Sequence, residues 1–313
     1  MPWLRNGCGI ATCVVFLALT RSALASPPSD LIDTATTYAT RRSDTLLDIA
    51  RAYDLGYSEI RVANPGLDLR HLGVGRLLTL PTRHVLPDAP RRGIVINLAE
   101  LRLYYFPSAG EPLSFPIGIG REGWETPLGR TRVVPKSVHP EWIPTDSEHE
   151  ERPELPQSVG PGPDNPMGDY ALYLGWSGYA VHGTNRPSSI GRRGSHGCIR
   201  VYPEDMRRLY DAIALDTPVM VVDQPAKVGW SAGELYLQVH PAQQNNASQP
   251  KGRPRSSIAM EADALLFKAV GTGTKRLDWH AIDLAETRRN GVPVRVTMPP
   301  NDRHDADSAT RWR

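Results

Sequence analysis

The chain has 313 residues, of which 40% are hydrophobic and 22% are charged, and its formal net charge is +2 at pH 7. That length leaves room for two or three domains. A net charge so close to zero gives no reason to expect a nucleic acid as partner, since such proteins carry a clear basic excess.

The first 25 residues have the organisation of a secretory signal peptide. Arg5 precedes the apolar stretch Gly9 to Leu19, and Ala23-Leu24-Ala25 supplies the small residues of a cleavage site. No later apolar run approaches the roughly 18 residues that a transmembrane span needs. We therefore predict export with residues 1–25 removed. An uncleaved N-terminal anchor is the alternative that this pattern leaves open.

Cysteine usage points to one residue of the mature chain. Cys8 and Cys13 lie within the predicted signal peptide, so Cys198 is left alone. A lone cysteine in an oxidising compartment cannot form an internal disulfide and risks unwanted oxidation. Buried, inert cysteines are common, but the residues around Cys198 favour a chemical role.

Residues 37–82 carry the pattern of a small module. Ser43 is placed to cap a helix with apolar residues at helical spacing. A second short helix is predicted from Ser58 to the Asn64-Pro65-Gly66 stop, and a strand over Leu77 to Leu80. The apolar positions of the first helix are Leu46, Ile49, Ala50 and Tyr53.

Two stretches of this module, SDTLLDIARAYDLGYSEIRVANPGLD and VGRLLTLP, resemble the LysM family. The resemblance implies binding to glycan that contains N-acetylglucosamine, and hence peptidoglycan as partner. Degenerate LysM copies serve only as spacers or docking surfaces, and the sequence leaves that alternative open.

From residue 92 to residue 223 the pattern changes to short apolar or alternating runs separated by turns. Such spacing is typical of a β-rich sandwich or barrel. One main helix interrupts the series, with Pro203 in its first turn and an apolar stripe through Met206 and Leu209. The fold class predicted is therefore mainly β, preceded by a small α+β module. The predicted strands are Ile94–Leu98, Leu101–Phe106, Phe115–Ile119, Thr131–Val134, Tyr170–Leu174, Tyr179–His182 and Pro218–Val222.

The residues with chemical potential lie just before that helix, in HGTN (182–185) and SHGCIR (195–200). A thiol attacks carbonyl groups only as the thiolate, so Cys198 needs a nearby base, which His182 can supply. Glycines allow tight turns, in which N–H groups near Gly197 and Cys198 can face an oxyanion. Arg200 offers a fixed fork for a substrate carboxylate.

The segment HGTNRPSSIGRRGSHGCIRVYPEDM resembles the signature of the L,D-transpeptidase family (YkuD/ErfK-type catalytic domain), and GPDNPMGDYALYL is typical of its periplasmic members. The resemblance implies that Cys198 is the acylated nucleophile and His182 its base. The residues that it implies as support for the oxyanion or substrate are Gly183, Ser195, His196, Gly197 and Arg200.

The activity implied is that of a periplasmic enzyme acting on peptidoglycan tetrapeptide stems. Cys198 would attack at the third residue, expel the terminal D-alanine, and pass the stem to an amine. That amine would belong to another stem, giving 3-3 cross-links, or to an outer-membrane lipoprotein. Acyl transfer through a thioester needs no cofactor, so none is expected.

Four alternatives are weaker. An L,D-carboxypeptidase would use the same cysteine with water as acceptor, and a non-enzymatic wall-binding protein would rely on the LysM-like module alone. A general cysteine protease has no support beyond a Cys and a His. A zinc site at His182, His196 and Cys198 lacks both a C-x-x-C and an H-E-x-x-H motif.

The remaining segments are less informative. Residues 135–166 hold eight prolines and the charged run DSEHEER. We expect this structureless insertion to form a wall over Cys198, anchored by Trp142 and Ile143. Residues 241–257 are predicted as a linker, 258–298 as a small α/β extension, and 299–313 as a disordered tail. Because every candidate catalytic residue follows Gly93, we expect the catalytic domain to act without the N-terminal module.

Overall fold

The computed structural model describes residues 29–68, 71–241, 255–273 and 276–298. The predicted signal peptide, most of the predicted linker and the predicted tail lie outside these residues. Within the described part of the chain, no helix combines the length and the apolar character that crossing a bilayer requires.

The N-terminal module contains two helices, α1 (Leu46–Ala52) and α2 (Tyr57–Ala63), packed on an antiparallel strand pair. Thr45, not Ser43, caps α1, because its hydroxyl accepts from the Asp48 N–H at 3.2 Å. The apolar residues of both helices share one core with the second strand. The strands of this part are β1 (Leu31–Ile32), β2 (Thr36–Ala39), β3 (Leu77–Leu80) and β4 (His84–Val85).

The catalytic region is a nine-stranded sheet, in the order β11-β7-β12-β10-β9-β8-β13-β5-β6. The strand β6 also pairs with β7, which closes the sheet into a barrel. The predicted fold class is confirmed, and every predicted strand is present. The strands are β5 (Gly93–Asn97), β6 (Arg102–Phe106), β7 (Leu113–Gly120), β8 (Gly129–Val138), β9 (Tyr170–Leu174), β10 (Ala180–His182), β11 (Arg193–Ser195), β12 (Ile199–Val201) and β13 (Pro218–Val222).

The helices of this region are α3 (Asp146–Glu151) and the predicted main helix, α4 (Pro203–Ala212). The apolar stripe of α4 supplies Met206 and Leu209 to the barrel core, where both side chains are almost fully buried. The helix begins directly after β12, so its packing fixes the end of the strand that follows Cys198.

The C-terminal part is larger than the extension expected from residue 258. A hairpin of β14 (Ala226–Ser231) and β15 (Glu234–Val239) pairs with β16 (Val294–Arg295). Two helices cover this sheet, α5 (Arg255–Val270) and α6 (Trp279–Arg288), so α5 begins inside the predicted linker. The hairpin has no counterpart among the predicted elements.

One buried cation connects the three parts of the molecule. The ammonium group of Lys227, on β14, donates to Val85 O at 2.5 Å, to Glu100 Oε2 at 2.6 Å and to the Tyr104 hydroxyl at 3.1 Å. Lys227 and Glu100 are both almost completely buried. A buried charge requires such a set of partners, since its desolvation is otherwise uncompensated.

Candidate active site

The sheet topology brings the two predicted motifs together. The strands β10 and β12 are parallel neighbours, with Val181 opposite Ile199 and His182 opposite Arg200. Cys198 immediately precedes β12, so it lies beside the start of β10. The pairing of these two short strands therefore brings the main chains of the two motifs onto neighbouring strands of the barrel.

Cys198 is partly buried in an apolar pocket. Its side chain packs against the buried cluster of Met167, Ala171 and Ala180, which Trp142 and Tyr173 also border. The thiol donates a hydrogen bond to Gly178 O at 3.4 Å. Burial raises the pKa of the Cys198 thiol, because the apolar surroundings disfavour the thiolate. In this state the residue is a thiol at neutral pH and needs a base.

His182 is buried and neutral. Burial and the charge of Arg200 lower the pKa of His182 to about 4. Its Nδ1 lies 2.6 Å from Gly183 O. A carbonyl oxygen can only accept, so Nδ1 carries the hydrogen and Nε2 keeps its lone pair. The Gly183 carbonyl therefore fixes the tautomer that can take a proton from a thiol.

Ser195 and Gly197 build the turn that presents Cys198. The Ser195 hydroxyl donates to Cys198 O at 2.5 Å and accepts from the Gly197 N–H at 3.2 Å. Gly197 has a φ of 104°, and a Cβ there would lie 2.6 Å from the ring of Tyr179. Thr126 donates to Gly197 O at 2.7 Å. Ser195 and Gly197, which the sequence predicts as site residues, thus fix the main chain of the turn.

His196 faces away from that turn, toward α3. Its Nδ1 lies 3.2 Å from Glu148 Oε1, and its Nε2 lies 3.0 Å from Glu151 Oε2. Arg121 pairs with Glu151. The rings of Trp124 and His196 meet edge-on, with 4.9 Å between their centroids. Hydrogen bonds from His196 and Arg121 lower the pKa of Glu151 to about 2.

Arg200 is partly buried beside His182, and burial lowers its pKa from the ordinary guanidinium value. Its Nε is buried and has no hydrogen-bond partner among the described residues. A buried donor without a partner costs free energy, and such groups are frequent where a ligand supplies the missing acceptor.

The proline-rich insertion is not structureless. Residues 135–138 continue β8, and Thr145 and Glu148 form a capping box that starts α3. Trp142 pairs with Val159 in a short antiparallel bridge. Trp142 packs against the same buried cluster as Cys198, but the expectation that Ile143 anchors the insertion is wrong, because its side chain is 65% exposed.

A buried asparagine closes this insertion. Asn165 is fully buried, and its side-chain amide donates to Pro140 O at 2.7 Å and to Val159 O and Gly160 O at 3.1 Å. Its Oδ1 accepts from the Met167 N–H at 2.8 Å. These bonds tie both ends of the insertion together beside Cys198.

Sequence reasoning missed the residues that surround the two motifs from other elements. They lie far from the motifs in the chain and belong to no pattern of their own. The charged run DSEHEER was noted, but its contact with His196 depends on tertiary structure. The missed residues are Arg121, Trp124, Thr126, Glu148, Glu151, Gly178 and Tyr179.

Comparison with known proteins gives the family. The profile of the L,D-transpeptidase catalytic domain (YkuD) matches residues 91–221, and that of the LysM domain matches residues 38–81. The chain is 39% identical over 254 residues to the Escherichia coli protein named "Probable L,D-transpeptidase YbiS", covering 79% of this chain and 81% of that one.

A Salmonella typhimurium protein named "Probable L,D-transpeptidase ErfK/SrfK" is 36% identical, over 87% of this chain and 90% of its own. Among solved structures, the catalytic domain of the E. faecium L,D-transpeptidase aligns with 43% of this chain and 99% of its own, at 24% identity and a TM-score of 0.35. On the two full-length relatives and the two profiles, this chain is a member of the L,D-transpeptidase family and an enzyme of that class, with a LysM domain ahead of its catalytic domain.

Proposed function

We propose that the chain is a periplasmic L,D-transpeptidase that acts on peptidoglycan tetrapeptide stems through a thioester on Cys198. The observation that carries this proposal is the arrangement of β10 and β12. These neighbouring strands carry a neutral imidazole, whose tautomer is fixed by Gly183 O, and lead to a partly buried thiol, which supports proton transfer between the two groups.

In the first half of the reaction, His182 Nε2 takes the proton of the Cys198 thiol as the sulfur attacks the carbonyl carbon of the third stem residue. The C–N bond to the terminal D-alanine then breaks, and His182 returns the proton to the departing amine. The products are a thioester on Cys198 and free D-alanine.

In the second half, the amine of an acceptor attacks the thioester. An amide forms, the C–S bond breaks, and the proton released by the amine restores the thiol. The acceptor is a second stem, which gives a 3-3 cross-link, or a lysine of an outer-membrane lipoprotein. Water in this step would give an L,D-carboxypeptidase.

The oxyanion of each tetrahedral intermediate requires a donor in the turn around Cys198. The Gly197 N–H already donates to Ser195 Oγ at 3.2 Å. We assign the oxyanion to the Cys198 N–H, in the turn that Ser195 and Gly197 hold. Arg200 is assigned to a substrate carboxylate, because its Nε is buried and without a partner among the described residues.

The insertion of residues 139–168 is assigned to one wall of the substrate groove. Trp142 packs against the same buried cluster as Cys198, and Glu148 of α3 contacts His196, two residues before the proposed nucleophile. The LysM domain is assigned to binding of the glycan strands. A spacer role for that domain, and a wall-binding role without catalysis, are the competing readings.

Mass spectrometry of muropeptides tests the proposal. Sacculi rich in tetrapeptide stems are incubated with the mature enzyme, with and without a lysine-bearing lipoprotein. Formation of 3-3 dimers or of lipoprotein-linked stems supports a transpeptidase and names the acceptor. Accumulation of tripeptides alone would identify a carboxypeptidase. Sacculus pelleting with Cys198→Ala measures binding separately from catalysis.

A further inference from the structure

The turn between α1 and α2 of the LysM domain, residues 53–58, lies against the catalytic barrel. We call it the docking turn. Its main chain meets the loop that joins His182 to Ser195: Tyr57 N–H donates to Ile190 O at 3.2 Å, and Ser58 N–H donates to Gly191 O at 3.3 Å. Two main chains therefore pair directly across the boundary between the domains.

This contact depends on two facing glycines. A Cβ at Gly56 would lie 2.6 Å from Gly191 Cα, and a Cβ at Gly191 would lie 2.3 Å from Tyr57 N. Real Cβ atoms do not approach other atoms so closely, so any side chain at either position would push the loop and the docking turn apart.

The other side of the same loop is held by the catalytic sheet. Gly191 N–H donates to Ile117 O at 3.0 Å, and Ile119 N–H donates to Arg192 O at 3.1 Å. The guanidinium of Arg192 lies 3.6 Å from the centre of the Tyr57 ring, within the range of a cation–π contact. The loop is thus clamped between β7 and the LysM domain.

The docking turn also reaches the far side of the nucleophile. Tyr202, which follows β12, is almost fully buried, and its hydroxyl donates to Leu55 O at 3.2 Å. Cys198 therefore lies on a segment whose two ends, at 190–192 and at 202, are both attached to residues 55–58.

A buried ion pair fixes the docking turn to the barrel. Arg102 of β6 pairs with Glu59 of α2 at 2.8 Å, and it donates to Asp54 O at 2.9 Å. The second carboxylate oxygen of Glu59 accepts from the Gly56 N–H at 2.6 Å. Both side chains of the pair are at most 5% exposed, so separating the domains would strand two charges.

From these contacts we infer that the LysM domain is a positioning element of the catalytic site, in addition to any role in glycan binding. Tyr57 and Gly56 hold the Ile190–Arg192 segment, which sets the turn that presents Cys198. This inference rests on the proposed role of Cys198. It replaces the expectation that the catalytic domain acts without the N-terminal module.

The test uses the full mature chain and two variants of the docking turn. Gly56 has a φ of −84°, so Gly56→Ala adds no backbone strain, and its Cβ meets mainly Gly191, with Glu59 Oε2 at 3.2 Å as a second close neighbour. Tyr57→Ala removes the ring without adding a clash, and Tyr57→Phe keeps the ring over Arg192. The exposed Arg61, one helical turn after Tyr57, provides the control Arg61→Ala.

We measure the rate of carbapenem acylation, which does not depend on glycan, and kcat and KM for a soluble tetrapeptide. Gly56→Ala and Tyr57→Ala should lower the acylation rate and kcat at least about tenfold, since small displacements of reacting groups have effects of that order. KM should stay within about twofold of the wild-type value in all variants. Tyr57→Phe and Arg61→Ala should also keep the acylation rate and kcat within about twofold of wild type.

Unchanged acylation and kcat in Gly56→Ala and Tyr57→Ala would overturn the inference, and so would a loss confined to thermal stability. If Gly56→Ala does not fold, Tyr57→Ala decides alone. A wild-type enzyme that is not acylated at Cys198 would instead refute the proposed function, so the two failures are distinct.

Discussion

His182 and Arg200 lie directly opposite each other on the parallel strands β10 and β12. A permanent cation thus faces the candidate base from the neighbouring strand, and together with burial it lowers the pKa of His182 to about 4. The same cation lies near the thiol, where it favours the thiolate against the effect of burial. One arginine therefore acts on both partners of the proposed proton transfer.

His182 should remain neutral across the physiological range. Its neutral form is favoured in the fold, so this contribution to stability is complete above the ordinary histidine pKa of about 6.5 and is lost as the pH falls toward 4. Nitrogen NMR of the imidazole should show the Nδ1–H tautomer from pH 8 down to about 5. A titration midpoint above about 6 would contradict the burial of this side chain.

The reactivity of Cys198 should continue to rise on the alkaline side. Because burial raises its pKa, alkylation by iodoacetamide should reach half its limiting rate above pH of about 8.5. His182→Ala should keep the fold and lower kcat/KM by roughly 10²–10⁴-fold, the range of general-base catalysis. A plateau of alkylation at neutral pH would instead indicate a preformed thiolate–imidazolium pair.

A carbapenem should acylate the chain once. Its strained ring presents a carbonyl group to the same thiol, which lies in the partly buried pocket with Trp142 and Tyr173. Intact mass spectrometry should show a single adduct in the wild type and none in Cys198→Ser. An adduct that persists in Cys198→Ser would remove the basis for the nucleophile assignment.

The α3 contact with His196 should matter more for the stem peptide than for a small inhibitor. A tetrapeptide is long and charged and needs the groove wall, whereas a carbapenem does not. Replacing residues 145–160 with a short Gly/Ser turn should lower tetrapeptide turnover far more than carbapenem acylation.

Point variants refine this experiment. Glu151→Gln weakens the ion pairs with His196 and Arg121, while Glu150→Gln alters an exposed neighbour in the same helix and serves as control. Because hydrogen bonds from His196 and Arg121 lower the pKa of Glu151 to about 2, its carboxylate keeps its charge until the pH falls toward that value. If tetrapeptide turnover and carbapenem acylation fall equally, the segment has a structural role. If neither rate changes, the segment has no role in either reaction.

Asn165→Ala should loosen the insertion. Pro140 O, Gly160 O and the Met167 N–H lose the Asn165 side chain as partner, and each buried group left unsatisfied costs about 1–3 kcal/mol unless water replaces it. We expect lower resistance to urea and faster proteolysis between residues 139 and 168. Wild-type proteolysis in this variant would show that the insertion is held by other contacts.

The strands of the barrel and the helix α4 follow from local patterns, because alternation and an apolar stripe are set by neighbours in sequence. The same holds for Cys198 and His182, whose motifs are short and contiguous. The hairpin 226–239 was missed, since its apolar face is covered by helices that come later in the chain.

Contacts between distant segments carried no local signal. Glu148 and Glu151 belong to a run that by composition favours solvent, yet they meet His196. Gly56 and Gly191 are ordinary turn glycines in the sequence, and only the tertiary structure shows that they face each other. By sequence, the hydroxyl of Ser43 suits the N-cap of α1 as well as that of Thr45 does. The direction of the main chain selects Thr45.

The buried ammonium of Lys227 has a consequence for the order of assembly. Val85, Glu100 and Tyr104 precede this lysine in the chain and are synthesised well before it. Their buried oxygens therefore lack the Lys227 ammonium as donor until the C-terminal hairpin is present. A nascent chain that ends before β14 holds a carboxylate at Glu100 without its cation. The barrel and the C-terminal hairpin therefore share one buried charge pair, and neither part has a fully compensated interior without the other.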